Sequence, residues 1–216
     1  MNNIEKEILS LRNSLFNMFL LVESQWEKGA RAILDYDQDI AEEISSSEKR
    51  INAQELIIDS ECENIIALHS PVAIDLRFIL STYKINHALE HIADIAESIA
   101  QYVSKSDTVY DKNIIEELQV IEMLDVFNSM MDDVISAFKD RDSRKAKKVF
   151  RKDRRLNEIN SNAPVIISKY ISSHDKEMLL YLLSTIRKVE RAGDSLKKIG
   201  EEIIYHLEAI ILKHKK

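Results

Sequence analysis

The stretch Leu89-Glu90-His91-Ile92-Ala93-Asp94-Ile95-Ala96 returns one hundred residues later as Val189-Glu190-Arg191-Ala192-Gly193-Asp194-Ser195-Leu196. In each copy a Glu and an Asp stand four residues apart within an uninterrupted helical pattern. That spacing puts both carboxylates on one helix face, one turn from each other. A chain that repeats such a unit is constrained to fold as one helical module written twice.

The repeat extends beyond the acids. Ala41, Ile44, Glu48 and Ile51 correspond to Ala146, Val149, Asp153 and Leu156 at an offset of 105, whereas Asp75, Glu90 and Asp94 correspond to Asp175, Glu190 and Asp194 at an offset of 100. Composition agrees: with three Gly and two Pro in 216 residues, many tight turns or a sheet are excluded, and the chain reads as all-α.

Apolar periodicity places a first helix from about Ile4 to Leu34, with Ile8, Leu11, Leu15, Met18, Val22 and Trp26 on one stripe. After a break at Asp35-Tyr36-Asp37, a second helix carries Ile40, Ile44, Ile51, Leu56 and Ile58 towards Leu68. Ser70-Pro71 predicts a cap and first turn for a third helix reaching Val103. Ser104-Lys105-Ser106-Asp107-Thr108 reads as the repeat boundary. The cycle then restarts, with helices over Ile114–Phe138, from Ala146 to about Ile171 and beyond Asp175, Pro164 being expected to kink or interrupt the fifth. The expectation is six helices, as two tandem three-helix bundles over residues 1–105 and 109–216.

Cys62 is the sole cysteine, so no internal disulfide forms, and packing is its expected role. The N-terminus lacks a secretory leader and no apolar run suffices to span a bilayer, from which a cytoplasmic protein is expected. The halves differ in charge. Residues 1–108 carry 9 Lys and Arg against 19 Asp and Glu, a net of −10, while the remainder carries 21 against 18, a net of +3. An acidic half suits cations.

The third helix shows Ile85, Leu89, Ile92, Ala96 and Ile99 on one face and Glu90, Asp94, Glu97 and Gln101 to its side. In the last helix Glu190, Asp194 and Glu201 flank the stripe of Leu182, Val189, Leu196 and Ile203. Gly193 and Gly200 thin that helix beside the acids and admit a close neighbour, a helix or an ion. With Glu48 and Asp153 contributed by preceding helices, the candidate metal ligands are Glu48, Glu90, Asp94, Asp153, Glu190, Asp194 and Glu201, an all-oxygen set suited to iron, manganese, magnesium or zinc. From the residues alone, a metal site and a solvated acidic face both stay open.

His87-Ala88-Leu89-Glu90-His91 matches a His-x-x-Glu-His zinc pattern, but its repeat partner Arg187-Lys188-Val189-Glu190-Arg191 has no His. No His has a Glu three residues before it, which disfavours di-iron oxidases and ferritins. Arg144, Lys145, Lys147, Lys148, Arg151, Lys152, Arg154 and Arg155 form the one basic run, without a nucleic-acid recognition motif. Neither a phosphate-cradling glycine loop nor a nucleophilic triad is present, so an enzyme is not expected.

Ser70-Pro71-Val72-Ala73-Ile74-Asp75-Leu76-Arg77 resembles the Pro-x-Ala-x-Asp-Leu-Arg segment of the PhoU family, and Leu89 to Asp94 and Val189 to Asp194 are similar to its Leu-Glu-Arg-Ile-Gly-Asp motif. The resemblance covers nearly the whole chain. It implies tandem three-helix bundles whose Glu/Asp-x-x-x-Asp motifs hold multinuclear iron or zinc, with Glu90, Asp94, Glu190 and Asp194 in the matching positions. It also implies a signalling adaptor that contacts the ATPase subunit of the phosphate ABC transporter and a sensor histidine kinase, holding uptake and the starvation response down when phosphate is plentiful. A homodimer, no nucleic acid, and membrane contact only through those partners are expected. His91 stands where Arg is usual, Ser98 and Lys198 where Asn is usual, and Gln101 for Glu, which implies altered ligands or lower occupancy in the first metal site. The rival expectation is a metal-storage protein or metal-dependent enzyme on the same bundles. A coiled-coil-like structural protein with a merely solubilising acidic surface is the third.

Overall fold

A computed structural model describes residues 3–35, 38–105 and 110–212. Among the described residues there are seven helices and no strand: α1 Asn3–Asp35, α2 Gln38–His69, α3 Ala73–Lys105, α4 Lys112–Glu117, α5 Val120–Asp140, α6 Ser143–Ser168 and α7 Lys176–Glu208. Tyr36 and Asp37 of the first expected turn, and residues 106–109 around the expected repeat boundary, lie outside the described residues.

Packing follows the stripes that define the helices. Leu11, Leu15, Met18, Val22 and Trp26 of α1 are buried, as are Ile85, Leu89, Ile92, Ala96 and Ile99 of α3 and Leu182, Val189, Leu196 and Ile203 of α7. α1, α2 and α3 pack on one another, and so do α5, α6 and α7. α3 lies against α7 and α1 against α5, so one hydrophobic core runs from Leu11 to Ile204. Aromatic contacts join α1 to α5: Trp26 stacks on Phe127 at 3.7 Å between centroids and Phe19 meets Phe138 at 5.3 Å. Along the α3–α7 contact Tyr102 stacks on Tyr181 at 4.9 Å, and Lys188 donates to Ser98 at 2.5 Å. Cys62 is buried, and burial, with Asp59, Glu61 and Glu63 nearby, pushes its thiol up to about 12, as fits a packing role.

Four details depart from the sequence expectation. The segment Ile114–Phe138 is two helices, because Gln119 takes φ 55° between them. Leu118 and Val120 are both buried, yet in one straight helix two positions apart means about 200° around the axis. The left-handed residue turns both inward. α3 starts at Ala73 rather than at Pro71: Ser70 and Ala73 have φ of 44° and 35°, and the Asp75 amide donates to the Val72 carbonyl at 3.0 Å. Leu56 is 68% exposed, since the α2 stripe runs through Ile51, Ile58, Cys62 and Ile65, and a step of five residues from Ile51 leaves that face. Finally, Pro164 does not interrupt α6, which continues to Ser168, with Ala163 and Ile167 buried on either side of the exposed proline.

The expected stops at residues 140–143 and 172–175 are present. Arg141 caps α5 with φ 53°, and the carboxylates of Asp142 and Asp175 accept from the amides of Arg144 and Met178, both at 2.9 Å. Gly193 and Gly200 face α6. A Cβ at 193 would run into Leu156, and one at 200 would lie 3.3 Å from the Ala146 carbonyl oxygen. The glycines thus admit a helix, not an ion.

Candidate functional site

Antiparallel packing of α2 on α3 brings Glu48 beside the Glu90–Asp94 pair. Glu48 is only 6% exposed. It is held from α1 by Gln25, whose amide nitrogen donates to one Glu48 oxygen and, at 3.2 Å, to the Ala93 carbonyl, while its amide oxygen accepts from Ser47 at 2.5 Å. The other carboxylate oxygen, Oε1, is buried without a partner. Asp94 lies beside both Glu48 and Glu90, its charge raising the pKa of each, and Glu97 adds a fourth negative group.

This crowding is visible in the acidities. Burial, opposed by the Gln25 hydrogen bond and reinforced by Asp94 and Glu97, pushes Glu48 up to about 7. Burial again comes first for Glu90, then Asp94, Glu55 and Glu48, and its value is also about 7. Near neutral pH the seam therefore holds protons that a cation would have to displace on binding. An orphaned buried carboxylate oxygen among acceptor-only neighbours fits a hard cation, with Glu48, Glu90, Asp94 and Glu97 as the oxygen donors.

The second seam has the same frame with a different filling. Asp153 of α6 is 4% exposed and meets Glu190 and Asp194 of α7. Here Lys197 reaches in, its Nζ 3.0 Å from Asp153 Oδ2 and 3.4 Å from Asp194 Oδ1. Lys197 occupies the position one hundred residues on from Glu97. Burial lowers its pKa, but the Asp153 hydrogen bond and charge, with Asp194, outweigh that and leave it raised. Glu190 is raised by burial, Asp194 and Asp153, against the opposing charges of Lys197 and Arg191. Asp153 Oδ1 is buried and unpartnered.

Of the expected ligands, Glu48, Glu90 and Asp94 converge in one seam and Asp153, Glu190 and Asp194 in the other. Glu201 joins neither. Seven residues beyond Asp194, it is about 10 Å further along the helix axis, and it lines a separate depression with Leu80, Lys84 and Tyr205. Gln25, Glu97 and Lys197 were not among the expected site residues.

A further acidic group escaped the sequence reading. Glu55, Asp59 and His87 bring one ligand atom each within 4.8 Å of one another. His87 Nδ1 is 2.8 Å from Glu55 and Nε2 3.6 Å from Asp59, and the buried Asn86 amide donates to Asp59 at 2.9 Å. The signal was present in the register: seven residues forward along α2 and seven back along α3 from the Glu48–Asp94 contact are Glu55 and His87. His87 and His91 do not share a site. His91 borders a depression on the α7 side with Asp94, Glu97, Lys188 and Arg191, and burial followed by Arg191 lowers its pKa.

The basic run is largely paired. Arg144 binds Asp142 at 2.8 Å, Lys145 Asp140 at 2.5 Å, Lys147 Glu208 at 2.8 Å and Arg155 Glu122 at 2.6 Å, and Lys152 binds Asp133 and Ser129. Among the described residues, no helix is long and apolar enough to cross a membrane.

Comparison with known proteins agrees with this helical fold. The PhoU domain model matches twice, over residues 15–103 and 120–203. The phosphate-specific transport system accessory protein PhoU of Escherichia coli K12 is 26% identical over 210 residues, covering 96% of this chain and 86% of the relative. A homolog from Deinococcus radiodurans is 25% identical over 204 residues, covering 94% and 95%. The crystal structure of PhoU from Pseudomonas aeruginosa superposes with a TM-score of 0.86 at 26% identity, covering 96% of this chain and all of that one. The phosphate transport system regulatory protein PhoU from Streptococcus pneumoniae shares the fold, with a TM-score of 0.86. Matched in both halves, over both acidic seams, the chain belongs to the PhoU family.

Proposed function

We propose that the protein is a non-enzymatic, metal-binding regulator of phosphate uptake and of the phosphate-starvation response. It acts as a cytoplasmic, homodimeric adaptor between the ATPase subunit of a phosphate ABC transporter and a sensor histidine kinase. Relatives named as phosphate-specific transport system accessory proteins support the regulatory role. The observation that carries the metal-binding part is the seam of Glu48, Glu90, Asp94 and Glu97, in which two carboxyl groups are raised to about 7 around an orphaned oxygen. In the same reading the helix triads α1–α3 and α5–α7 are copies of one bundle, over residues 1–105 and 109–216.

The metal is iron, zinc or a similar hard cation, and the two seams differ in their demand for it. Lys197 already neutralises the second, so the first is the stronger site. That order is opposite to the one suggested by His91 and Gln101, because a resident ammonium group outweighs the loss of peripheral ligands. When bound, the cation supplies charge compensation that locks α2 onto α3.

The test is a deletion strain complemented with the wild-type chain or with Glu48→Gln/Asp94→Asn. Loss of control over phosphate uptake and starvation genes on deletion is expected. Unchanged uptake and unchanged expression would contradict the regulatory reading. The rival reading, a metal-dependent enzyme, draws on carboxyl groups poised near neutrality, and is supported only if the metal-loaded protein turns over a substrate and Glu90→Ala abolishes it.

A further inference from the structure

A second polar feature lies at the end of the helix assembly where α1, α3, α7 and the α5–α6 turn meet, and it is cationic. His206 of α7 is 8% exposed, and both ring nitrogens lack a hydrogen-bond partner. Its ring packs on Phe78 at 5.0 Å between centroids. The Arg12 guanidinium lies over the same Phe78 ring at 4.4 Å, and over Phe138 at 5.6 Å. Arg141 follows Phe138 by three residues at the left-handed cap of α5, and Arg77, next to Phe78, has its Nε buried and unpartnered. Buried polar nitrogens without partners are uncommon in folded proteins and ask for an explanation.

Among the described residues, no carboxylate forms an ion pair with this group. Apart from burial, the influences on His206 are Arg12, Arg141 and Arg77, all positive, and they hold it down at about 4. For Arg12, burial and then Arg141 lower the pKa, and no carboxylate opposes them. Three acids that flank the cluster are engaged elsewhere: Asp140 with Lys145, Asp142 with Arg144, and Glu208 with Lys147. Nor does the repeat require it, since the position one hundred residues on from Arg77 is Glu177. Arg77 also closes the Asp-Leu-Arg segment, which the acidic seams leave unused.

We propose that Arg12, Arg77, Arg141 and His206 form a binding site for a doubly charged tetrahedral oxyanion, an inorganic phosphate or the phosphoryl group of a phosphomonoester. Guanidinium groups contributed by α1, α3 and the α5–α6 turn would suit a tetrahedral ligand better than a planar carboxylate, and their charge would match a dianion. Stacking of Arg12 on Phe78 fixes its plane and leaves the edge donors available. The His206 imidazole, unpartnered at both nitrogens, offers a further N–H. The site is independent of the acidic seams and of any metal.

The experiment is a titration of the full-length protein with inorganic phosphate, and separately with glycerol 3-phosphate, against chloride at constant ionic strength. The imidazole signals of His206 are followed by NMR and assigned with His206→Gln. Saturable shifts with either phosphoryl compound, a rise in the His206 pKa on binding, and about tenfold or greater weakening in Arg77→Gln and Arg141→Gln support the site. Saturation by inorganic phosphate alone identifies the free ion, and equal response to both identifies the phosphoryl group. Arg141 is exposed, so its substitution tests binding without threatening the fold. Shifts no larger than those from chloride, or affinities unchanged in both arginine variants, would overturn the proposal.

Discussion

Lys197 Nζ sits 3.0 Å from Asp153 Oδ2, at the position where the other half of the chain carries Glu97. A charge reversal thus distinguishes the filling of the two acidic seams. Lys197→Glu should create a second metal site: the purified variant, loaded with Mn2+ or Fe2+ and desalted, is expected to retain more metal per chain by elemental analysis than the wild type. Equal content in the two proteins would mean that the lysine does not fill a cation's place.

The apoprotein should lose stability as the pH rises through the range set by Glu48 and Glu90. Both are raised from 4.5 in the unfolded chain to about 7 in the fold, so the folded state binds more protons between those values. Their contribution is fully present below 4.5 and disappears as the pH passes 7. Glu48→Gln keeps the hydrogen-bonding shape without the charge and should raise the melting temperature at pH 8 by a few degrees while flattening the profile. Calorimetry at a series of pH values checks this. A wild-type melting temperature that rises steadily from pH 5 to 8 would contradict the assignment.

The stack of Trp26 on Phe127 joins α1 to α5 within the shared core. Phe127→Ala should cost about 3–5 kcal/mol by cavity formation and lost transfer energy. Trp26 is the only tryptophan, so its fluorescence reports the site directly. A red-shifted emission together with a lower denaturation midpoint is expected, and an unchanged midpoint would show that the two helices are held by other contacts.

Gln119 adopts φ 55° between α4 and α5. Glycine reaches that conformation without a Cβ penalty, so Gln119→Gly should stabilise the chain by up to about 1 kcal/mol. In an uninterrupted helix the same change would cost about that much. Chemical denaturation distinguishes the signs.

The long helices were legible because their apolar stripes recur over eight or nine turns, and the acidic seams because paired carboxylates repeated at fixed offsets. Register and charge were harder. Leu56 is as apolar as Ile51 and Ile58 yet faces out, because its five-residue step from Ile51 leaves the stripe that those two share. The break at Gln119 has neither Gly nor Pro to announce it. Glu201 shares a helix face with Asp194 but lies two turns away from it, and the helical period alone does not say where a site ends. Lys197 went unnoticed because an acid search overlooks the base placed among the acids. The Arg12–Arg77–Arg141–His206 group is assembled from four distant segments, and only packing brings those together.

The proposed principal metal site is the first acidic seam. Crystals soaked in Fe2+ or Zn2+ and measured at the metal's absorption edge test it most directly. The account predicts the strongest anomalous peak between Glu48, Glu90, Asp94 and Glu97, with a weaker peak or none beside Lys197. A strongest peak at Asp153, Glu190 and Asp194, or at Glu55, Asp59 and His87 alone, would contradict it.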